Sequence, residues 1–362
     1  MNFGLSQDQV LLRDTIHRFL DEQCPTTRVR QVMDGPTGHD PELWTGLVDL
    51  GVTGLYVPAE HGGAELELLD LALAAEAIGY NATPGPFLAN ALAQIALVEG
   101  GDDALRKQWL PKLVDGSRIG TFALGEPDGQ WDPAKIATRA DGNKLTGTKA
   151  LVPYGALADV LIVAAQGPDG PGLWLVEKGA AGLEAKDYIG NDLTRRLSIV
   201  RLKDTPAVKL PGGAKAVARV RDAGCVLIAA DAYGGCRRML EMATSYSKQR
   251  EQFGQIIGAF QAVKHQLANL ACELEPALSL WWYAAHAFDR IQEESAHRAA
   301  LAKALMSDTY DRFARDTTEL HGGIGFTWEF DLHLWFRRAM FDRGYLGDAT
   351  DNRLRAADLA GW

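Results

Sequence analysis

The chain has 362 residues, of which 47% are hydrophobic and 23% are charged, a balance typical of a soluble globular protein. Its 37 basic and 47 acidic side chains give a formal net charge of −10 without a long run of Lys or Arg, which argues against nucleic acid as a partner. No apolar run approaches the roughly 20 residues that span a bilayer, and the first residues lack the pattern of a signal peptide, so we expect a cytoplasmic protein without a membrane partner.

The N-terminal third, residues 1–117, has the pattern of a helical domain. Ser6 and Gln9 have the spacing of a capping box, which predicts that the first helix begins just after Ser6. Glycine and proline residues then separate four further segments with helical periodicity. These segments are 41–50, 65–79, 86–98 and 103–114.

The middle of the chain, residues 118–213, changes to short runs in which polar and apolar residues alternate. Glycine-rich turns separate the runs, and short strands at this spacing predict a compact β-barrel or sandwich. The predicted strands are Ile119–Leu124, Lys144–Thr148, Val160–Ala164, Leu173–Val176 and Ser198–Leu202.

The last segment, residues 214–362, is again helical, and its helices are long. Candidates are Ile228–Arg250, Ile256–Glu293 and Ala296–Leu320, and Pro276 should kink or break the second of them. The order of helical domain, β domain and helical bundle places the chain in the α+β class.

Cysteine usage adds no metal or disulfide pattern to this architecture. The four cysteines include no CxxC pair and no metal-ligand spacing, so no metal site is predicted. Without a secretory signal we expect reduced, buried thiols. The residues concerned are Cys24, Cys225, Cys236 and Cys272.

Two C-terminal segments resemble acyl-CoA dehydrogenases. Tyr246–Leu270 contains the family's Arg-x-x-Phe-Gly and Ile-Gly-x-Phe-Gln motifs, and Glu319–Asp331 resembles its Gly-Gly motif. The first predicted helix and the Gly125–Pro127 turn fit the same family, so the resemblance covers essentially the whole chain in the correct order. It implies a helical N-terminal domain, a middle β-barrel and a C-terminal four-helix bundle, and it implies FAD as the cofactor.

The resemblance also implies which residues contact FAD. In the family, the positions of Arg250 and Phe253 reach across the dimer interface to the adenosine-pyrophosphate of a neighbour's FAD, although alone they could be a surface cation and a core aromatic. A guanidinium binds pyrophosphate oxygens well, and the Gly322-Gly323 backbone can approach the same group closely. Glu319 replaces the family's usual Gln, and its carboxylate would repel pyrophosphate.

The catalytic base of the family is missing from both of its usual positions. The family's Glu removes the substrate α-proton while the flavin accepts a hydride. By comparison with the family, Leu346 occupies the first base position and Gly224 occupies the second. Cys225 replaces the Arg that follows the second base in the family. Neither Leu346 nor Gly224 can accept a proton, so no catalytic residue is assigned.

The chain also departs from the family at positions whose residues, in the family, lie against the subunit's own flavin ring. Gly125 replaces a Thr, and Trp131 replaces a Ser that hydrogen-bonds near flavin or substrate. Pro153 falls at the Thr of the family's Trp-Ile-Thr segment and provides neither a hydroxyl nor an N–H.

This asymmetry resembles the non-catalytic chain of α2β2 acyl-CoA dehydrogenases from bacterial steroid side-chain degradation. It implies a homologous catalytic subunit as partner, an acyl-CoA substrate undergoing α,β-dehydrogenation as in β-oxidation, and an electron-transfer flavoprotein or similar acceptor. Two alternatives remain open. One is a homo-oligomeric enzyme with a relocated base, for which Asp348 and Glu126 are the nearest carboxylates. The other is a flavin-free acyl-CoA-binding or scaffold protein.

Overall fold

A computed structural model describes residues 4–362 of the protein. The chain divides into two compact units that are not continuous in sequence. The first unit consists of Met1–Arg30, Ala72–Thr83 and Val226–Trp362, and the second consists of Gln31–Leu71 and Pro84–Cys225. The domain limits inferred at residues 117 and 213 remain predictions.

The N-terminal region is helical, as predicted. The capping box is present, because Ser6 and Gln9 each accept a hydrogen bond from the other's backbone N–H. A short second helix was not predicted, since few of its residues are apolar. The helices are α1 (Gln7–Gln23), α2 (Thr26–Asp34), α3 (Pro41–Asp49), α4 (Leu68–Tyr80), α5 (Phe87–Gly100) and α6 (Asp103–Val114).

The middle region forms one eight-stranded sheet, which lies in the second unit. Its strands are β1 (Gly120–Ala123), β2 (Arg139–Asp141), β3 (Lys144–Pro153), β4 (Val160–Gly167), β5 (Gly170–Glu177), β6 (Leu183–Tyr188), β7 (Leu197–Pro206) and β8 (Val208–Leu210). The strand order is β6-β7-β3-β2-β4-β5-β8, and β1 pairs in parallel with β4. Strand β4 is buried along six consecutive residues because other strands flank it.

The predicted β domain is confirmed, but over residues 4–362 its sheet does not close into a barrel. A barrel requires the two edge strands to pair, and in the described part of the chain β6 pairs only with β7 and β8 only with β5. The β domain is therefore an open sheet. Its core is apolar, with Trp174, Val163 and Leu145 among its buried side chains.

The C-terminal region returns to helices, as predicted. They are α7 (Gly213–Gln249), α8 (Gln261–Arg290), α9 (Gln292–His321), α10 (Leu332–Gly344) and α11 (Ala349–Leu359). Helix α8 continues through Pro276, so the alternative of a break there is wrong. Pro276 removes only the hydrogen bond to the Cys272 carbonyl, and both residues are exposed, so water can bind that carbonyl instead.

Burial corrects one detail of the cysteine prediction. Cys24, Cys225 and Cys236 are buried, but Cys272 is exposed on α8. Within residues 4–362, every helix is too short or too polar to cross a bilayer. The first unit is stabilised by a buried bidentate ion pair between Arg338 and Asp231, with N–O distances of 2.8 and 2.6 Å.

Candidate cofactor-contact site

Phe253 lies at the tip of a small hairpin that follows α7. Strands β9 (Glu251–Gln252) and β10 (Gln255–Ile256) pair in antiparallel fashion, so Phe253 and Gly254 form a two-residue turn. Both turn residues have left-handed backbones, with φ of 53° and 80°. This geometry suits hairpins but is costly for a bulky side chain such as that of Phe253.

The side chain of Phe253 is 92% exposed, which excludes the interpretation of a core aromatic. Its nearest aromatic neighbour is Phe260, whose ring centroid lies 6.2 Å away in an edge contact. Arg250 is also exposed, and no carboxylate of residues 4–362 forms an ion pair with it. The backbone of Arg250 is fixed, because its carbonyl accepts a hydrogen bond of 2.8 Å from Ile257. Both side chains are therefore presented to the outside on a well-defined turn.

Gly322 and Gly323 form the exposed turn at the end of α9. Gly322 has φ of 63° and ψ of −144°, a conformation that side chains disfavour. A Cβ atom on Gly323 would meet nothing within 4 Å in this chain, so internal packing does not require glycine there. Glu319 is exposed one turn earlier, at the negative end of the helix dipole, where a carboxylate is not stabilised.

An aromatic cluster brings these two segments to the same end of the first unit. The His321 ring packs against both Tyr246 and Phe330, with ring centroids 4.6 and 4.8 Å away, and those two rings lie 6.2 Å from each other. Tyr246 is one helical turn before Arg250, and His321 immediately precedes Gly322. This cluster was not predicted from the sequence, although a His directly before the Gly-Gly pair was a visible signal.

The loop that contains Leu346 is held firmly between α10 and α11. Lys303 donates hydrogen bonds to the carbonyls of Arg343 and Gly347, at 3.1 and 2.9 Å, and Asn352 donates to the Gly347 carbonyl at 3.0 Å. Leu346 itself is fully buried and has a left-handed φ of 62°. The loop thus fixes an apolar side chain that cannot exchange protons. Gly224, on α7, is also buried and has no side chain.

The two carboxylates considered as relocated bases both have structural partners. Asp348 is the N-cap of α11 and accepts a hydrogen bond of 2.9 Å from the Asp351 amide. Glu126 lies 2.6 Å from the buried Lys149 ammonium and accepts further bonds from two backbone amides. Burial lowers the pKa of Lys149 to about 8, against the opposing influence of Glu126. Neither carboxylate is placed as an available base.

The altered positions of the β domain are buried in the second unit. Trp131 is 6% exposed and follows the turn that begins at Gly125. Pro153 ends β3, and its carbonyl accepts a hydrogen bond of 2.6 Å from the Thr121 hydroxyl. No described atom of Pro153 supplies the hydroxyl or amide hydrogen that Thr would offer at that position.

A separate cleft of about 670 Å³ opens among α1, α4, α7 and α8 of the first unit. Its central carboxylate, Glu76, is buried and bonded to His17 at 2.8 Å and to Arg237 at 2.7 Å. The residues assigned above as cofactor contacts do not line this cleft. The Glu76 carboxylate in this cleft is therefore already paired with the Arg237 guanidinium.

Comparison with known proteins covers almost the entire chain. The family description "Acyl-CoA dehydrogenase, N-terminal domain" matches residues 6–117, and "Acyl-CoA dehydrogenase, C-terminal domain" matches residues 212–357. Acyl-CoA dehydrogenase IpdE2 of Mycolicibacterium smegmatis is 31% identical over 355 residues, which cover 97% of this chain and 98% of the relative.

Two solved structures have closely similar folds. A Tcur3481-Tcur3483 steroid ACAD variant superposes with a TM-score of 0.92 at 32% identity, covering 98% of both chains. The ChsE4-ChsE5 complex from Mycobacterium tuberculosis gives a TM-score of 0.91 at 26% identity, covering 100% of this chain and 99% of the other.

Proposed function

The chain belongs to the acyl-CoA dehydrogenase family, and from this premise we propose that it is the base-deficient subunit of a heteromeric, FAD-dependent acyl-CoA dehydrogenase. Its partner is a homologous catalytic subunit in an α2β2 assembly, and the reaction is α,β-dehydrogenation of an acyl-CoA. Bound FAD supplies the hydride acceptor for this reaction. The role of this chain is to bind the adenosine-pyrophosphate part of a cofactor that the partner uses.

One observation carries the proposal: Phe253 is almost fully exposed in a left-handed turn, next to an unpaired Arg250. A strained, exposed aromatic residue gives no packing advantage to its own chain. Strain of this kind, about 1–3 kcal/mol per residue, persists mainly where it serves a function. A contact with a ligand or a neighbouring chain explains both the exposure and the conformation.

The chemistry of the residues around the Phe253 turn and the Gly322-Gly323 turn fits the adenosine-pyrophosphate of FAD. The Arg250 guanidinium offers paired N–H donors to phosphate oxygens, and the Phe253 ring offers a face for adenine. Gly322 and Gly323 carry no side chain that would block a close approach to the backbone there, although the Gly322 amide already donates to the Glu319 carbonyl. Glu319 opposes this charge arrangement, so its carboxylate must point away from the phosphates or be neutralised by a cation.

The catalytic base must then come from another chain. The two base positions hold Leu346 and Gly224, and the carboxylates Asp348 and Glu126 are committed to a helix cap and a buried ion pair. This does not favour a homo-oligomeric enzyme with a relocated base. The similar steroid ACAD and the two-component ChsE4-ChsE5 complex support a steroid-derived acyl-CoA substrate and an unlike partner. We further propose an electron-transfer flavoprotein or similar acceptor and a cytoplasmic location.

Co-expression with the candidate partner tests this proposal. We expect a yellow complex, whereas the chain alone should be insoluble or colourless. Arg250→Ala in the complex should weaken FAD binding by roughly ten- to a hundred-fold, because a charge-assisted contact contributes about 1.5–3 kcal/mol. Lys248 provides a matched control, since Lys248→Ala removes an exposed cation only two residues away.

Three results would contradict the proposal. A soluble, fully flavinylated and active preparation of this chain alone would show that no partner is needed. Equal FAD retention by Arg250→Ala and Lys248→Ala on dialysis would show that Arg250 is only a surface cation. A colourless complex would favour the alternative of a flavin-free acyl-CoA-binding or scaffold protein.

A further inference from the structure

The segment from Gly125 to Trp131 folds back on itself as a tight turn. The Glu126 amide donates to the Gln130 carbonyl at 3.1 Å, and the Gly129 amide donates to the Glu126 carbonyl at 3.0 Å. The Gln130 side-chain oxygen then accepts from the Trp131 amide at 3.0 Å. These bonds return the chain to its starting point, so the Trp131 side chain lies against Gly125.

The contact between Trp131 and Gly125 leaves no room for a side chain at position 125. A Cβ atom on Gly125 would lie 2.8 Å from Cη2 of Trp131, 3.0 Å from Cζ3 of the same ring and 2.9 Å from the Ala150 carbonyl oxygen. Separations this short are well inside van der Waals contact. The indole of Trp131 and the Ala150 carbonyl therefore both require a glycine at position 125.

The turn that carries Trp131 is anchored rather than mobile. Glu126 is held by the Lys149 ammonium at 2.6 Å and by the amides of Ala137 and Thr138, both at 3.2 Å. The Ala150 amide also donates to the Gly125 carbonyl at 2.9 Å. Buried charge-assisted bonds of this kind are costly to break. The indole is thus a fixed part of the domain and not a cover that swings away.

We infer that Trp131 and Gly125 together form a plug that excludes a flavin ring from the β domain of this chain. The inference rests on the proposed function, in which the cofactor is used by the partner. The family resemblance places two small hydroxyl residues, Thr and Ser, at these positions. A single packing requirement explains both replacements, because the indole cannot occupy this position while residue 125 carries a side chain.

A double-mutant cycle on the co-expressed complex tests the coupling of the two residues. Gly125→Ala should lower the melting temperature in every background, because the Ala150 carbonyl stays close, and by more in the wild type than in a Trp131→Ser or Trp131→Phe background, where the outer ring is absent. Gly344→Ala is the matched control, since a Cβ there meets nothing within 4 Å. Equal losses for Gly125→Ala in all backgrounds would overturn the inference.

Binding of lumiflavin, a free isoalloxazine ring, tests the exclusion itself. The wild-type complex, which already holds its own cofactor, should not quench the fluorescence of added lumiflavin. The Trp131→Ser complex should quench it, and Trp131→Phe replaces this variant if the Ser variant does not fold. Equal quenching of wild type and variant overturns the inference, as does a folded variant that gives none. If Arg250→Ala did not weaken FAD binding, the proposed function would be contradicted. A non-additive double-mutant cycle would still support the contact between Trp131 and Gly125.

Discussion

Lys149 and Glu126 form a buried ion pair in the second unit, with 2.6 Å between the ammonium nitrogen and a carboxylate oxygen. Lys149 also donates to the Leu124 carbonyl at 3.0 Å, and Glu126 accepts from two backbone amides. Each charge is therefore compensated by several polar contacts. This pairing explains how two ionisable groups can persist in the interior of the β domain.

Removing the Lys149 charge should destabilise the protein and change its response to alkaline pH. Lys149→Met leaves Glu126 buried without its cation, which typically costs about 3–5 kcal/mol. In the wild type, burial lowers the Lys149 pKa to about 8, below its usual 10.5. Between these pH values the unfolded chain binds the proton and the folded chain does not. This group therefore makes the free energy of unfolding rise with pH.

Urea unfolding of wild type and Lys149→Met at pH 8 and pH 10 measures both effects. The wild type should show the positive contribution to the pH slope, and the variant should lack it. Lys178→Met is a control, because that ammonium is exposed. An identical slope in wild type and Lys149→Met would contradict the pKa assigned here.

Phe253→Asn should separate folding from cofactor binding. Asn followed by Gly254 is the preferred pair for this type of hairpin turn, so stability should stay unchanged or rise by up to about 1 kcal/mol. Loss of the aromatic ring should weaken FAD binding in the complex by about two- to twelve-fold, since an aromatic contact contributes about 0.5–1.5 kcal/mol.

The measurements are thermal melting of the variant and FAD retention during dialysis, each compared with wild type. Ile256→Asn, on the adjacent strand of the hairpin, provides a control for polarity changes on the same turn. Tight FAD retention by Phe253→Asn would mean that the exposed ring serves another contact.

Leu346→Glu should not create an active site on this chain. A well-placed proton-transfer group accelerates a reaction by about 10²- to 10⁴-fold, but only beside aligned reactants. Position 346 is fully buried, so the new carboxyl should stay protonated and destabilise the loop. The Lys303 and Asn352 hydrogen bonds to the loop should persist in the variant.

The assay is enoyl-CoA formation by a complex whose partner has lost its own base. Leu346→Gln serves as the uncharged control of equal size, and both variants should remain at background. Substantial turnover with Glu alone would show that this chain has an intact flavin site.

His333 should make the first unit less stable in acid. Burial lowers the pKa of His333 to about 4, and the positive charges of Arg30 and Arg337 act in the same direction. Its ring stacks on Trp328 with centroids 4.4 Å apart, and Asp331 opposes the shift only in part. As pH falls from 6.5 towards 4, the unfolded chain binds a proton that the folded chain does not, so stability decreases.

His333→Phe keeps the ring stack and removes the titration. The unfolding free energy of the wild type should therefore fall relative to that of the variant as pH falls from 7.5 to 5. A parallel pH dependence in wild type and variant would show that His333 does not titrate differently on folding.

The sequence by itself determined the order of helical, β and helical regions and the family. Periodicities of 3.6 and 2 residues and the Ser6 capping box are local properties, so they appear directly in the chain. The identity of Leu346 was equally direct, since no fold can give a leucine side chain an exchangeable proton.

The tertiary structure alone decided the features that depend on distant residues. The sheet stays open because its edges β6 and β8 do not pair within the described chain, and no local pattern encodes edge pairing. The left-handed, exposed turn of Phe253 and the loss of Asp348 and Glu126 to structural roles likewise required their partners to be located. The dependence of Gly125 on Trp131 arises from a close approach of a few ångströms, which spacing in sequence does not reveal.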